Sequence, residues 1–591
     1  MKILLAAANA KYIHSNLAVY CLKSYAASKG YSVEIAEYTI NQQTGDVLQD
    51  LYRRNADVVA FSCYIWNIDF IKTVIHDYKK IRPQCEIWLG GPEVSYRGEA
   101  LLKELPEVRG VMVGEGEETF AKLVALYEEQ QAGVDIMPWQ SIPGIVVRGN
   151  NNKIVVTEPA PPLNFSRLPF PYGDGSVSVE KRAENGETVW NTILSSFDNR
   201  IIYYESSRGC PFSCAYCLSA IDKRVRFRNM DLVKNELKFF LEKRVPQIKF
   251  IDRTFNVNGP HTMELLQFFK ENDNGITNFH CEIAAELLTE EQIELLNSLR
   301  PGLVQLEIGV QSTNRETLSA VNRKTELVAL KNTVVAVREH NNVHIHLDLI
   351  AGLPKEDLKS FRNSFNEVYR MRPHQLQLGF LKVLSGAPME QMAGENEIVY
   401  QSAPPYEVLS TRWLSFDDII LLKKVEEMVE VYYNSGQFIY SMLYLLHYYE
   451  EPFALYEELV QYYERQGFVG MKISRNKRYE ILWEFAREKL EEEKWRIFDE
   501  ILFYDHCLRE KPKSRPVFAV QSQLDKQSLK EAYLSFGVKR EEEGMHDIEK
   551  FSFDPVETAE QGKMAGEPCM ILFSYEKREA MHGGATTRKS L

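Results

Sequence analysis

Short apolar runs alternate with amphipathic stretches along the first 130 residues of this 591-residue chain. Lys2–Ala8 (KILLAAA) reads as a buried strand, SNLAVYCLKSYAASKG as a helix closed by Gly30, and YSVEIAEYT as a second strand. Asp57–Tyr64, Cys85–Gly91 and Gly110–Glu117 continue the series, with helical patterns between them. Five strands separated by helices predict βαβ units and a Rossmann-like parallel-sheet domain over residues 1–130. From 131 to 199 the pattern weakens, and Pro143, Pro159, Pro161, Pro162, Pro169 and Pro171 predict a linker with a small hairpin around Gly144–Val156.

A second alternating series follows. Its strands are Ile201–Ser207, Ile248–Phe255, Asn278–Ala285, Leu303–Val310, Val343–Gly352 and Leu376–Leu384. Six βα repeats suit a partial (β/α)6 TIM-type barrel over 200–395, whose chemistry belongs at the C-terminal strand ends. Residues 396–545, rich in Tyr, Glu and Leu, read as a mainly α-helical C-terminal domain, and 546–591 as a loosely ordered tail. The fold class expected is α/β.

Composition narrows the function. Hydrophobic residues make up 45% and charged residues 26%, which excludes wholesale disorder. No apolar run approaches the roughly 18 residues that a membrane span needs. Asn9, Lys11 and His14 interrupt the N-terminus before a signal peptide could form, so a cytoplasmic location without membrane contact is expected. Acidic residues exceed basic ones, 83 against 70, which excludes general nucleic-acid binding. Nine scattered cysteines are too few for a disulfide scaffold, so their spacing decides what they do.

Three of them cluster. Cys210, Cys214 and Cys217 lie in GCPFSCAYC, directly after the first barrel strand. A CxxxCxxC loop can hold three irons of a cubane 4Fe-4S cluster through thiolates and leave the fourth iron open to a small chelating molecule. A structural zinc site would want a fourth Cys or His at short spacing, and the next cysteine is Cys281.

On these residues the sequence resembles the radical S-adenosylmethionine (SAM) superfamily, over roughly residues 200–390. The resemblance implies reductive cleavage of SAM to a 5'-deoxyadenosyl radical, and an electron donor such as flavodoxin or ferredoxin. It also implies that Tyr216, before the last cysteine, packs the adenine side of the nucleotide. Asp252 in IDRTFN takes the place of the family's glycine-rich GGE-type segment beside the methionine amino group. Glu282 and Glu286 end the third strand, and Glu307, Gly309, Gln311 and Ser312 end the fourth, where polar groups suit the ribose and methionine of SAM. Each could equally be a helix cap or a solvated loop residue. Asp348–Pro354 (DLIAGLP) ends the fifth strand, where the family backs the adenine.

The first domain resembles the cobalamin-binding domain that precedes the barrel in one branch of that superfamily. The likeness rests on Ser62 in FSCYIWN, Gly90 and Gly91 in LGGPEVS, and Gly114 in GEGEETF. Small residues at strand ends are what a flat corrin and its nucleotide tail require. The DxHxxG motif for an axial histidine is absent; His14 sits in that loop without its aspartate and glycine, which implies cobalamin held without that ligand. The expected cofactors are therefore a 4Fe-4S cluster, SAM and cobalamin, serving methylation or rearrangement of an unactivated carbon in a small molecule or peptide.

Two rival readings stay open. Methylthiotransferases of the superfamily bind a second cluster through three N-terminal cysteines, but Cys21, Cys63 and Cys85 fall in a helix, at a strand end and at a strand start. A non-catalytic binding or sensor module is the other. The basic run Lys223, Arg224, Arg226 and Arg228 is expected to be a solvated face, with a phosphate or carboxylate contact as the alternative. The tyrosine stripe Tyr432, Tyr433, Tyr440, Tyr444, Tyr448 and Tyr449 is expected in the core of the helical domain, which is placed at the barrel rim.

Overall fold

The computed structural model describes residues 1–132, 139–149, 152–173, 197–519 and 524–590. The second half of the predicted linker, 174–196, lies outside the described residues. The chain divides into two compact units: Met1–Leu306 with Ser319–Thr325 and Phe380–Arg412, and Glu307–Leu318 with Glu326–Gly379 and Trp413–Leu591.

In the first unit, β1 (Ile3–Asn9), β2 (Glu34–Thr39), β3 (Val58–Ser62), β4 (Glu86–Gly90) and β5 (Gly110–Met112) pair in parallel in the order β2-β1-β3-β4-β5. All five residues of β3, VVAFS, are buried. A continuous apolar run is what a strand covered by helices on both faces requires. Helix Ile68–Ile81 supplies one such cover, burying Ile68, Ile71, Val74, Ile75 and Tyr78 at three- and four-residue spacing. The predicted hairpin exists as β6 (Ile145–Arg148) and β7 (Ile154–Val156), but it belongs to the sheet, extending it antiparallel from β5. The first domain thus runs past the boundary at 130, because the edge of β5 needs a hydrogen-bonding partner.

The second sheet has the order β15-β14-β13-β12-β11-β8. Its strands are β8 (Ile201–Tyr204), β11 (Gln247–Phe250), β12 (Asn278–Ile283), β13 (Val304–Gln311), β14 (His344–Ala351) and β15 (Gln375–Phe380). The ribbons β9 (Ser207–Arg208) with β10 (Arg226–Phe227), and β16 (Val399–Tyr400) with β17 (Val408–Ser410), lie outside it. The outer edge of β8 is closed by the first loop of the N-terminal domain. Ile201 N donates to Ile13 O at 2.8 Å. Ser15 Oγ donates to Ile201 O at 3.0 Å and accepts from Tyr203 N at 3.3 Å.

In the second unit the tyrosine stripe is core only in part: Tyr433, Tyr440, Tyr448 and Tyr449 are half-buried. Tyr432 and Tyr444 are fully buried, and Tyr432 bonds Tyr463 hydroxyl to hydroxyl at 2.7 Å. Within this unit the helical region packs on the helix and strand start that lead into β15. Helix Pro452–Gln466 lies against helix Leu358–Arg370, through Arg362 to Glu457, Asn366 to Glu451, and Tyr369 to Tyr456. Tyr433 donates to Pro373 O, and Asn434 brackets Leu376, at the strand-start end of β15. The segment expected to be a loose tail is an antiparallel sheet of β18 (His546–Phe551), β19 (Cys569–Arg578) and β20 (Ala585–Ser590). Ile548, Leu572 and Tyr533 form its core with Ala532 and Val538, an apolar set dispersed over 40 residues of sequence and so without local periodicity.

Buried Asp505 ties the helical region together, accepting from Ser441 N and Ser441 Oγ, each at 2.7 Å. Burial pushes its carboxyl up to about 7 despite those donors. A folded-state value above the unfolded one, about 3.9, makes the folded state the better proton binder. Its stabilising contribution is complete below pH of about 4 and lost as pH rises through about 7. Denaturant unfolding across that range should show a downward slope that Asp505→Asn reduces.

Candidate active site at the cluster loop

The loop after β8 is held by its own backbone. Gly209 has φ +101°, and a Cβ there would lie 2.1 Å from Arg224 O, so only glycine permits the turn into Cys210. Cys210 N donates to Asp222 O at 3.2 Å and Cys217 N to Cys214 O at 3.1 Å, folding the CxxxCxxC segment back on itself. Ala215 N donates to Val321 O, and Met389 N donates to Ala215 O, so the loop is pinned from two further segments. Cys210 and Cys214 are buried and Cys217 half-buried. The three thiols lie close enough for the charges on Cys214 and Cys217 to push Cys210 up, behind the larger effect of burial. Three cysteines on one short loop, with no fourth Cys or His at short spacing in the sequence, are the donor set of an open 4Fe-4S cluster.

Beside them lies a residue that sequence reasoning missed. Half-buried Arg323 places Nη1 3.8 Å from Cys214 Sγ and its Nε 3.0 Å from Thr325 Oγ1, with the charges of Tyr216 and Glu286 also close. One Glu286 carboxylate oxygen is buried without a partner among the described residues. A half-buried guanidinium next to a metal-ligating loop suits a substrate carboxylate. The signal available in sequence was only an arginine in the loop AVNRKTE, indistinguishable from other surface arginines.

The other expected SAM contacts separate into two groups. Asp252 is buried and both its oxygens are used, by Ser206 N at 2.7 Å, Ser206 Oγ at 2.5 Å and Ser207 Oγ at 2.8 Å. It is a bracket between the ends of β8 and β11, and burial raises its carboxyl to about 6. Ser312 is likewise committed, donating to Glu356 at 2.6 Å and capping Asn314 N. Tyr216 lies beside Cys214 and Arg323, and Glu282 at the end of β12. Gln311 ends β13 with φ +70°, and its side-chain carbonyl is buried without a partner among the described residues. Glu307 comes together with His346 and Asp348 of β14, their donor atoms all within 4.8 Å of one another. Strand alternation places these three on one face, a pattern the sequence carried but which was not singled out for His346.

On the first sheet, Ser62, Gly90, Gly91 and Gly114 all stand at C-terminal strand ends. Gly91 has φ +116°, and a Cβ would lie 2.4 Å from Cys63 O, so that glycine is required by the protein's own backbone. Gly114, at φ +78°, has nothing within 4 Å of a built Cβ. Ser95 Oγ donates to Gly91 O at 2.9 Å and accepts from Gly114 N at 3.4 Å, joining the two loops into a shelf. Open space above a glycine loop fits a bulky flat group. His14 Nδ1 is 2.9 Å from Tyr203 Oη, so this histidine belongs to the seam with β8. Burial raises the thiols of Cys21, Cys63 and Cys85, which sit on separate elements and form no metal-ligating group among the described residues.

The basic run divides: Lys223 and Arg224 are exposed, as a solvated face requires, whereas Arg226 and Arg228 are drawn into ion pairs. Arg228 pairs with Glu236 at 2.5 Å with both side chains buried, and Arg226 pairs with Glu115 of the first domain. Arg208 reaches Glu117 at 2.9 Å and Glu205 at 2.8 Å. Tyr64, after β3, feels the charge of Arg253, after β11. Loops at the C-terminal ends of both sheets therefore meet within the first unit.

Comparison with known proteins agrees with this geometry. Family models match three segments: a B12 binding domain over residues 3–124, the radical SAM superfamily over 204–368, and a protein of unknown function (DUF4080) over 394–573. The chain thus carries, in order, a B12-binding segment, a radical SAM segment and a segment of the DUF4080 model, and the cofactors that the first two imply are cobalamin, a 4Fe-4S cluster and SAM.

Among curated proteins it is 25% identical over 440 residues to 2-(S-pantetheinyl)-carbapenam-3-carboxylate methyltransferase of Streptantibioticus cattleyicolor, covering 69% of this chain and 61% of that protein. It is 25% identical to the cobalamin-dependent radical SAM methyltransferase TokK of Streptomyces tokunonensis, covering 56% and 48%. The chain thus spans about half to three-fifths of the length of these relatives. The fold matches the cobalamin-dependent SAM radical enzyme OxsB with a TM-score of 0.57 at 13% identity, over 94% of this chain and 83% of that one. No helix among the described residues is long and apolar enough to cross a membrane.

Proposed function

We propose that this chain is a cobalamin-dependent radical SAM methyltransferase acting on an unactivated carbon. The observation that carries this reading is the meeting of the two sets of C-terminal loops, through Glu115 and Glu117 with Arg226 and Arg208. When bound, the cluster and SAM supply a carbon-centred radical on one-electron reduction, and cobalamin supplies a methyl group. Cys210, Cys214 and Cys217 hold the cluster, and Arg323 takes the carboxylate of SAM. Tyr216, Glu282, Glu307 and Gln311 serve as polar and packing contacts for the nucleoside, while Asp252 and Ser312 fix the loops that carry them. Ser62, Gly90, Gly91 and Gly114 form the shelf for cobalamin. The substrate is a small molecule or peptide, and the electron comes from a flavodoxin- or ferredoxin-class donor.

Cobalamin binding is the step that separates this reading from a methylthiotransferase or a sensor module. Anaerobic titration with hydroxocobalamin should give stoichiometric uptake. Gly114→Trp should abolish that uptake and leave iron content intact, because the indole would fill the open space above the loop while φ +78° costs only about 1–2 kcal/mol. Failure of the wild-type chain to bind at micromolar concentration would remove the methyltransferase reading.

A further inference from the structure

The two cofactor-bearing domains are joined by a charge network that the cofactors themselves do not require. Arg208 stands two residues before Cys210, and Arg226 follows the cluster loop on the strand that pairs with it. Glu115 and Glu117 both come from the GEGEETF loop after β5. Arg226 grips Glu115 through two nitrogens, with Nη1 to Oε2 at 3.0 Å, and also donates to Leu163 O at 3.1 Å. Leu163 N returns a bond to Glu115 at 3.1 Å. Arg208 Nη2 bonds Glu117 at 2.9 Å, its Nη1 lies 3.7 Å from Glu115, and its guanidinium stacks 5.0 Å from the centre of the Phe165 ring. The side chains of Arg208 and Glu117 are only 17% and 5% exposed, so solvent screens this pair little.

Arg226 forks onto Glu115, while Arg208, itself held by a two-nitrogen grip on Glu205 of its own segment, sends one bond to Glu117; the fork and the pre-oriented second guanidinium define distance and angle together, which a flexible lysine pair or an apolar contact would not. Glycines flank Glu115 on both sides, and Gly114 at φ +78° turns the carboxylate-bearing loop out of the sheet. The loop that shapes one cofactor shelf is therefore the same loop that grips both flanks of the other cofactor's ligand segment. Sequence reading singled out only Gly114 in GEGEETF; its acidic residues are what the fold uses to join the domains.

Resting on the function proposed above, we infer that Glu115 and Glu117 are positioning residues that set the separation of cobalamin from the iron–sulfur cluster, through Arg226 and Arg208. Their side chains are engaged by Arg226 and Arg208, through which they act. Removing their charge leaves both binding sites complete and lets the domains drift, since each site is built on its own sheet.

The test uses the full chain, reconstituted with iron and sulfide and loaded with hydroxocobalamin. With cobalt as Co(II) and the cluster reduced, both are paramagnetic, and microwave-power saturation of the cobalt signal reports how close the cluster lies. In the wild type the cluster should speed relaxation of the cobalt signal relative to cluster-free protein. In Glu115→Gln/Glu117→Gln this enhancement should be lost while iron and cobalamin contents stay at wild-type levels. Glu115→Gln alone, at the more exposed carboxylate, should weaken it, and Glu117→Asp, which keeps the charge, should restore most of it. Unaltered enhancement in both glutamine variants overturns the inference. A wild-type chain that takes up no hydroxocobalamin overturns instead the function on which it rests.

Discussion

Converting Cys210, Cys214 and Cys217 together to alanine should leave an anaerobically reconstituted chain without its cluster, iron and sulfide each falling from about four per chain to background. Reductive cleavage of SAM should disappear with it. Cobalamin uptake should survive, because the first sheet has its own core of Leu4, Val59, Ile75, Ile87 and Leu101, remote in sequence from the cysteine loop. The loop should keep its course, since Gly209 and the backbone bonds of Cys210, Ala215 and Cys217 do not depend on thiols. Retention of the iron–sulfur absorbance in the triple variant would sink the cluster assignment.

Arg323→Ala carries the second large effect. Removing a half-buried, charge-assisted hydrogen-bond partner costs about 1.5–3 kcal/mol, a weakening of SAM binding by roughly 10-fold to more than 100-fold. The KM for SAM in 5'-deoxyadenosine formation should rise by that factor at unchanged iron content. Arg323→Lys should recover part of the loss, since lysine offers the charge without the planar fork. A KM that does not move would place the carboxylate of SAM elsewhere.

The parts of this fold that were legible in sequence are those with local signals. The buried strands announce themselves as short apolar runs, and a glycine at or just after the end marks β4, β5 and β14 as Gly90, Gly114 and Gly352. The cysteine loop was legible because its spacing alone restricts the chemistry. Asp252 and Ser312 were misread because a polar residue at a strand end looks the same whether its donors lie on a ligand or on Ser206 and Glu356. Arg226 and Arg228 were misread because nothing in DKRVRFRN points to Glu115, 111 residues away, or to the burial of Glu236. Arg323 was missed for the same reason: its place beside Cys214 is set by the fold and leaves no mark in AVNRKTE. The sheet of β18–β20 escaped notice because its core forms only when helix Lys526–Ser535 lies on it.

The closure of β8 by Ile13 and Ser15 bears on how this protein can be dissected. A fragment starting at residue 200 would carry every cluster ligand, yet Ile201 N and Tyr203 N would face water along an open strand. Such an edge recruits other strands, so the excised barrel is a candidate for self-association and precipitation. The N-terminal domain is in this sense an intramolecular chaperone for the barrel as well as a cofactor carrier, and the two cannot be exchanged between relatives as independent cassettes without carrying Ile13–Ser15 along.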